Sequence, residues 1–244
     1  MCAFFLKLGF ALVILALISL TFVFTYGYLL TSPYIRLEEV EVPGVDDDLK
    51  AQILELAQLN YDYSLLAVDL NGVKKRVQKH PWVRSVEVEK RFPHMLIIRV
   101  EKQKPLALAL QGRLYYMNRW GELFKEVLSD ERVDFPVVTG LSEQEKEREK
   151  QIKTAVQVLR LFESQAPPWD LDHLCEVHVK EDGTIHLYVS FMSGKIKVEA
   201  GELTAKLEEL KKLVGHLASI GRLHMVKGIN LDYHEGAAVA FSPN

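Results

Sequence analysis

The sequence predicts an α+β protein tethered by one N-terminal transmembrane helix, and three observations carry that prediction. No charged residue occurs from Leu8 to Leu30. Residues 34–101 follow the periods of strand, helix, helix, strand and strand. The remainder reads as a mostly antiparallel β domain with packed helices.

The apolar run is interrupted only by Ser19, Thr21, Thr25 and glycines, with Tyr26 and Tyr28 near its far end. About 20 helical residues cross the roughly 30 Å hydrocarbon core, so residues 8–30 suffice. Aromatic residues near the end suit the interface. A cleaved signal peptide has a shorter apolar core and a small-residue cleavage site; Thr25-Tyr26-Gly27-Tyr28 offers none. Lys7 precedes the run, whereas Arg36 is followed by Glu38 and Glu39, so the positive-inside rule sets residues 1–7 in the cytoplasm.

Next, Ile35 to Val42 reads as a strand, with Val40 and Val42 alternating with glutamates, and Pro43-Gly44 ends it. Asp46-Asp47-Asp48 reads as a solvated helix start, ahead of Leu49, Ile53 and Leu56 on one face. Asp69 is a second candidate cap, followed by Leu70, Val73 and Val77. Lys74, Lys75, Arg76 and Lys79 crowd that helix's other side and its end. Such a cluster ordinarily complements the helix dipole; anionic headgroups or an acidic partner are the other reading. Val86 and Val88, then Leu96, Ile98 and Val100, form two alternating strands around Phe92-Pro93-His94.

The second half begins with an apolar stretch, Leu106 to Leu110, and turns at Gln111-Gly112 and Asn118 to Gly121. Pro136 to Gly140 is a short extended segment, and Ser142-x-x-Glu145 a capping-box candidate before a helix bearing Ile152, Val156 and Leu159. A meander follows, with turns at Asp182-Gly183 and Ser193-Gly194. Leu203, Leu207, Leu210, Val214 and Leu217 keep the spacing of an amphipathic helix on a sheet. The last two strands are Ile229-Leu231-Tyr233 and Ala237-Val239-Phe241, joined by His234-Glu235-Gly236.

No catalytic constellation emerges. HExxH, GxSxG, the P-loop and CxxC are all missing from the sequence. Cys175 and His178 are three apart in a strand and face opposite sides, so they do not cooperate in a site, and Cys175 reads as a small core residue. Beyond Lys7 the chain has 29 basic and 33 acidic residues, without the basic stripe of a nucleic-acid binder. Cys2 and Cys175 lie on either side of the anchor and form no disulfide framework. The expectation is a non-enzymatic protein with no cofactor, metal, nucleic acid or small-molecule substrate.

The stretch from His80 to Ala107 carries the most information. It holds Pro81-Trp82-Val83, an alternating strand, Lys90-Arg91-Phe92-Pro93, a second strand, and Glu101 to Ala107 with Pro105. In this order it resembles the end of the POTRA module in the bacterial cell-division family FtsQ/DivIB, with one extra residue before Pro105. Val40 to Gly44, Ser64 to Asp69 and Phe135 to Gly140 resemble further segments of that family. Asn230-Leu231-Asp232-Tyr233-His234-Glu235-Gly236-Ala237-Ala238-Val239 resembles its closing motif.

The resemblance implies a cytoplasmic tail over 1–7, an anchor over 8–30, a POTRA domain over 34–102 and a β domain over 103–244. It implies a single-pass protein of the cell inner membrane, with its C-terminal part outside the cytoplasm at the division septum. It also implies a divisome scaffold that binds the bitopic proteins FtsB and FtsL and links early and late septation proteins. The family's last strand takes a partner segment by strand addition. The matching positions are Tyr233, Glu235, Gly236, Ala237, Ala238, Val239 and Phe241. The short tail departs from relatives with a longer one, and no tail follows the last strand. A POTRA-bearing transport or outer-membrane assembly factor is the alternative, but the repeats or barrel strands it would carry are not in the sequence.

Overall fold

The computed structural model describes residues 2–31, 33–233 and 236–242. The chain divides into two compact units, Met1–Gln103 and Lys104–Asn244.

The first unit opens with helix α1, Cys2–Thr31. Its stretch Gly9–Tyr28 is long and apolar enough to cross a membrane, and none of it is buried in protein. A 3-10 turn at Pro33–Ile35 leads to strand β1, Glu39–Glu41, shorter than the 35–42 strand expected. Helix α2, Asp47–Ala57, starts where the aspartates predict: the Asp46 carboxylate accepts from the Leu49 N–H at 2.9 Å. Its buried row is Leu49, Ile53 and Ala57; Leu56 lies beside that row, half-buried. Helix α3, Leu70–Val77, follows Asp69, whose side chain makes no capping hydrogen bond. Arg76, from the basic cluster, instead donates to the Ala57 carbonyl at the end of α2, at 2.7 Å. Strands β2, Val83–Arg91, and β3, Met95–Lys102, complete a three-stranded sheet in which β3 is central, antiparallel to β2 and parallel to β1. Leu96 and Ile98 of β3 meet the helices in one apolar core.

The second unit is a nine-stranded sheet. Its strands are β4 Pro105–Gln111, β5 Arg113–Asn118, β6 Leu123–Glu126, β7 Val137–Thr139, β8 Leu174–Val179, β9 Thr184–Val189, β10 Lys195–Glu199, β11 Val226–Asn230 and β12 Ala238–Phe241. They lie in the order β12-β11-β10-β9-β8-β7-β4-β5-β6. Antiparallel pairs predominate, as expected, but β4·β7, β7·β8 and β10·β11 are parallel. Helix α4, Glu145–Glu163, connects β7 to β8, and helix α5, Leu203–Ser219, connects β10 to β11. Both crossovers step the same way along the sheet between strands pointing the same way. The right-handed rule therefore puts both helices on one face, and one apolar core joins them to the sheet.

All five residues of the predicted α5 row are buried. The capping box does not form: Gln144 is the N-cap of α4, and the Ser142 hydroxyl accepts from the Gln144 N–H instead. Cys175 is exposed rather than buried. The β8–β9 register shifts between Leu174 and Glu176, and this bulge turns the thiol out of the alternation assumed for it.

The sheet's other face carries a polar row, Thr139, His178, His186, Lys197 and Asn230, one residue per strand. His178 stacks on His186 at 5.9 Å between centroids and meets the Thr139 hydroxyl at 2.8 Å. Burial, then the charges of Lys195, Lys180, His178 and Lys197, hold the His186 imidazole below its usual pKa. The unfolded chain therefore takes this proton first as pH falls. Stability contributed at neutral pH is lost below about 6.5, well above the window of the carboxylates. Thermal melts at pH 7.5 and 5.5 should show a drop that His186→Gln reduces; an unchanged drop counts against this source.

Candidate docking edge

Two strands end the large sheet, and their chemistry differs. At one end, β6 carries Lys125 and Glu126, paired with Glu131 at 2.5 Å and with Arg113 at 2.9 Å. Charges along an edge discourage further strands. At the other end, β12 reads Ala-Val-Ala-Phe and carries no charge. Among the described residues its one paired neighbour is β11, with Asn230 opposite Ala238, Ile229 opposite Val239 and Gly228 opposite Ala240.

Backbone parity shows which groups this edge presents. The Ser242 N–H donates to the Met225 carbonyl at 2.8 Å, flanking the Val226·Phe241 pair. Phe241 is thus in a non-hydrogen-bonded pair, and its own N–H and C=O point away from β11. The bulge in this pairing lies on β11, between Val226 and Gly228, so alternation along β12 is unbroken. Val239 and Phe241 direct their backbone groups outward, whereas Ala238 and Ala240 direct theirs to β11.

Beside the edge, a groove of about 360 Å³ is lined by Glu209, Lys212 and Leu213 of α5 and by Leu231, Gly236 and Ala237. The segment after β11 is tied down from both sides. Lys206 of α5 donates to the carbonyls of Leu231 and Tyr233 at 2.5 and 3.0 Å. Lys197 of β10 pairs with Asp232 at 2.6 Å, a hydrogen bond and charge contact that raise the Lys197 pKa. Gly236 has a φ of +80°, where glycine carries no steric penalty. Arg222 lies over the Phe241 ring at 5.6 Å.

Of the residues picked out from the sequence, Ala238, Val239 and Phe241 lie on β12 itself. Tyr233 and Gly236 are exposed on the preceding segment, and Ala237 precedes the strand rather than starting it. Leu231 and Tyr233 also fall outside β11, which ends at Asn230. Glu235 lies outside the described residues. The sequence reading missed Lys206, Glu209, Lys212 and Leu213. Leu213 carried a signal: it is an apolar residue beside the five-residue core row of α5. Among the described residues, no group of three or more His, Cys, Asp or Glu could hold a metal.

The architecture defines a class: one apolar helix of membrane-spanning length, a small three-stranded module, and a larger mixed-sheet domain. The POTRA domain of FtsQ type matches residues 35–103, and the cell division protein FtsQ/DivIB C-terminal domain matches residues 107–232. The chain belongs to the FtsQ/DivIB family of cell-division proteins, a non-catalytic family. It is 25% identical over 215 residues to the cell division protein FtsQ of Geotalea daltonii, covering 86% of this chain and 77% of that one. The FtsQ of Geobacter sp. (strain M21) is 29% identical over 85% of this chain and 77% of its own. That of Myxococcus fulvus is 28% identical over 79% and 68% respectively.

Proposed function

We propose that this chain is a non-enzymatic scaffold of the division machinery that binds small FtsB-like and FtsL-like bitopic partners, docking the FtsB-like one by strand addition at β12. The observation that carries this reading is the uncharged edge, with outward backbone groups at Val239 and Phe241 beside a partly apolar groove. An added strand gains affinity from backbone hydrogen bonds, each worth about 1 kcal/mol net, and selectivity from side-chain pockets. In this reading residues 1–7 are cytoplasmic, 8–30 span the inner membrane, and the POTRA (34–102) and β (103–244) domains lie outside the cytoplasm at the septum. Supporting the anchor, Gly9–Tyr28 has a mean hydropathy of 2.3.

Depletion should give filaments without septa, and co-purification from membranes should recover the bitopic partners. Tyr233→Ala should weaken that recovery while the domain stays folded. Normal septation on depletion, or no bitopic partner recovered, sinks the proposal.

A further inference from the structure

Four large apolar side chains between residues 34 and 103 are exposed, and all are aromatic: Tyr34 (77%), Tyr61 (51%), Tyr63 (62%) and Phe92 (55%). They come from three separate stretches of chain, yet the backbone gathers them at one end of the small module. The Tyr63 carbonyl accepts from the Leu37 N–H at 3.3 Å, and Arg36 forms an antiparallel bridge with Ser64. The His94 carbonyl, in the Phe92-Pro93-His94 turn, accepts from the Glu38 and Glu39 N–H groups at 2.9 and 3.3 Å. Glu39 also sits opposite Met95 in the parallel β1·β3 pair. The loop after α2, the β2–β3 turn and the segment leaving α1 therefore share one end. Lys102, at the far end of β3, pairs there with Asp46 at 2.7 Å.

This end is the one from which α1 emerges. The 20 residues Gly9–Tyr28 span about 30 Å as helix, matching the hydrocarbon core. The helix continues only to Thr31, about 4.5 Å further along its axis. Each headgroup layer is some 5–8 Å thick, so the 3-10 turn at Pro33–Ile35 begins within or just above it. The 3-10 turn Leu65–Ala67, directly after Tyr63 and Ser64, comes within 8 Å of α1 between Cα atoms. Amphipathic tyrosine rings prefer this boundary, where one end is apolar and the other hydrated.

We infer that Tyr34, Tyr61, Tyr63 and Phe92 form an aromatic collar that seats the module on the headgroup layer of the bilayer crossed by α1. This rests on α1 spanning that bilayer. The collar holds the module upright on its anchor. Charge supplies little of the contact: Arg36, Lys90 and Arg91 at this end are balanced by Glu38, Glu39 and Asp62. The collar therefore needs no anionic lipid, and phosphatidylcholine suffices.

The test uses the full chain with Cys2→Ser and Cys175→Ser, reconstituted in phosphatidylcholine vesicles. A spin label is placed at Asp62→Cys, between the two loop tyrosines. Reference labels go at Ile18→Cys in the anchor and Asp47→Cys at the module's opposite end. Collision rates with lipid-soluble oxygen and a water-soluble nickel chelate are compared. The oxygen-to-nickel ratio at position 62 should lie severalfold above that at 47 and below that at 18. Adding Tyr61→Ser, Tyr63→Ser and Phe92→Ser together should bring position 62 down to the level of 47 and leave 18 unchanged. A ratio at 62 equal to that at 47 in the otherwise unsubstituted chain overturns the collar. So does a ratio indifferent to the triple substitution, or one that rises only when a bitopic partner is co-reconstituted, which would mark a protein occupant. A water-like reading at 18 removes the anchor, and the collar with it.

Discussion

A Val239→Pro chain should fold normally and lose its partner. Proline removes the one N–H that Val239 directs away from β11, and its ring obstructs an incoming strand. The ladder to β11 is untouched, because Ala238, Ala240 and Ser242 supply its donors. Folding stability should fall by only about 1 kcal/mol, from reduced packing of the half-buried Val239 side chain. Partner affinity should fall at least tenfold, which corresponds to about 1.4 kcal/mol. Ala238→Pro should do the opposite. It deletes an inward donor and should cost about 3 kcal/mol of stability. Melting curves and titrated co-purification separate the two variants; full capture by Val239→Pro would rule out strand addition here.

Gly194→Ala should loosen the same edge from a distance. A Cβ at this position would stand 2.6 Å from both the Val226 carbonyl oxygen and the Lys227 carbonyl carbon. These atoms are backbone and cannot rotate aside as a flexible side chain would. They also lie at the β11 bulge, so β11 must move and β12 with it. Overpacking of this kind costs about 1–3 kcal/mol. Gly215→Ala is the control: it meets nothing within 4 Å and should stabilise α5 by up to about 1 kcal/mol. If both variants keep the parent's melting temperature and capture, Gly194 plays no part in setting the edge.

Local periodicity made much of this fold legible. Leu203, Leu207, Leu210, Val214 and Leu217 announce α5 through spacing alone, and the uncharged run announces α1. Strand neighbours are another matter. Nothing in Val137–Thr139 says that it lies between β4 and β8, because adjacency is settled by which crossovers cover the core. The segment proposed for docking stands out by its motif, yet the direction of each amide does not, since that depends on hydrogen bonds to Met225 and its neighbours. Cys175 was misjudged for a similar reason: a single-residue bulge reverses the face that strict alternation assigns. The aromatic collar stayed hidden because its members are far apart in sequence and meet only through backbone bonds to Leu37, Glu38 and Glu39.

The contrast between β6 and β12 bears on stoichiometry. A sheet receptive at both ends would be a link, able to pass strand pairing from molecule to molecule into a fibre. Here Lys125 and Glu126 close one end, so on the proposed reading the large sheet has a single valence. On that reading the β12 edge pairs with one incoming strand or with one second copy of the chain, and either event fills it. A sheet built this way takes up a strand without passing the pairing on to a further molecule.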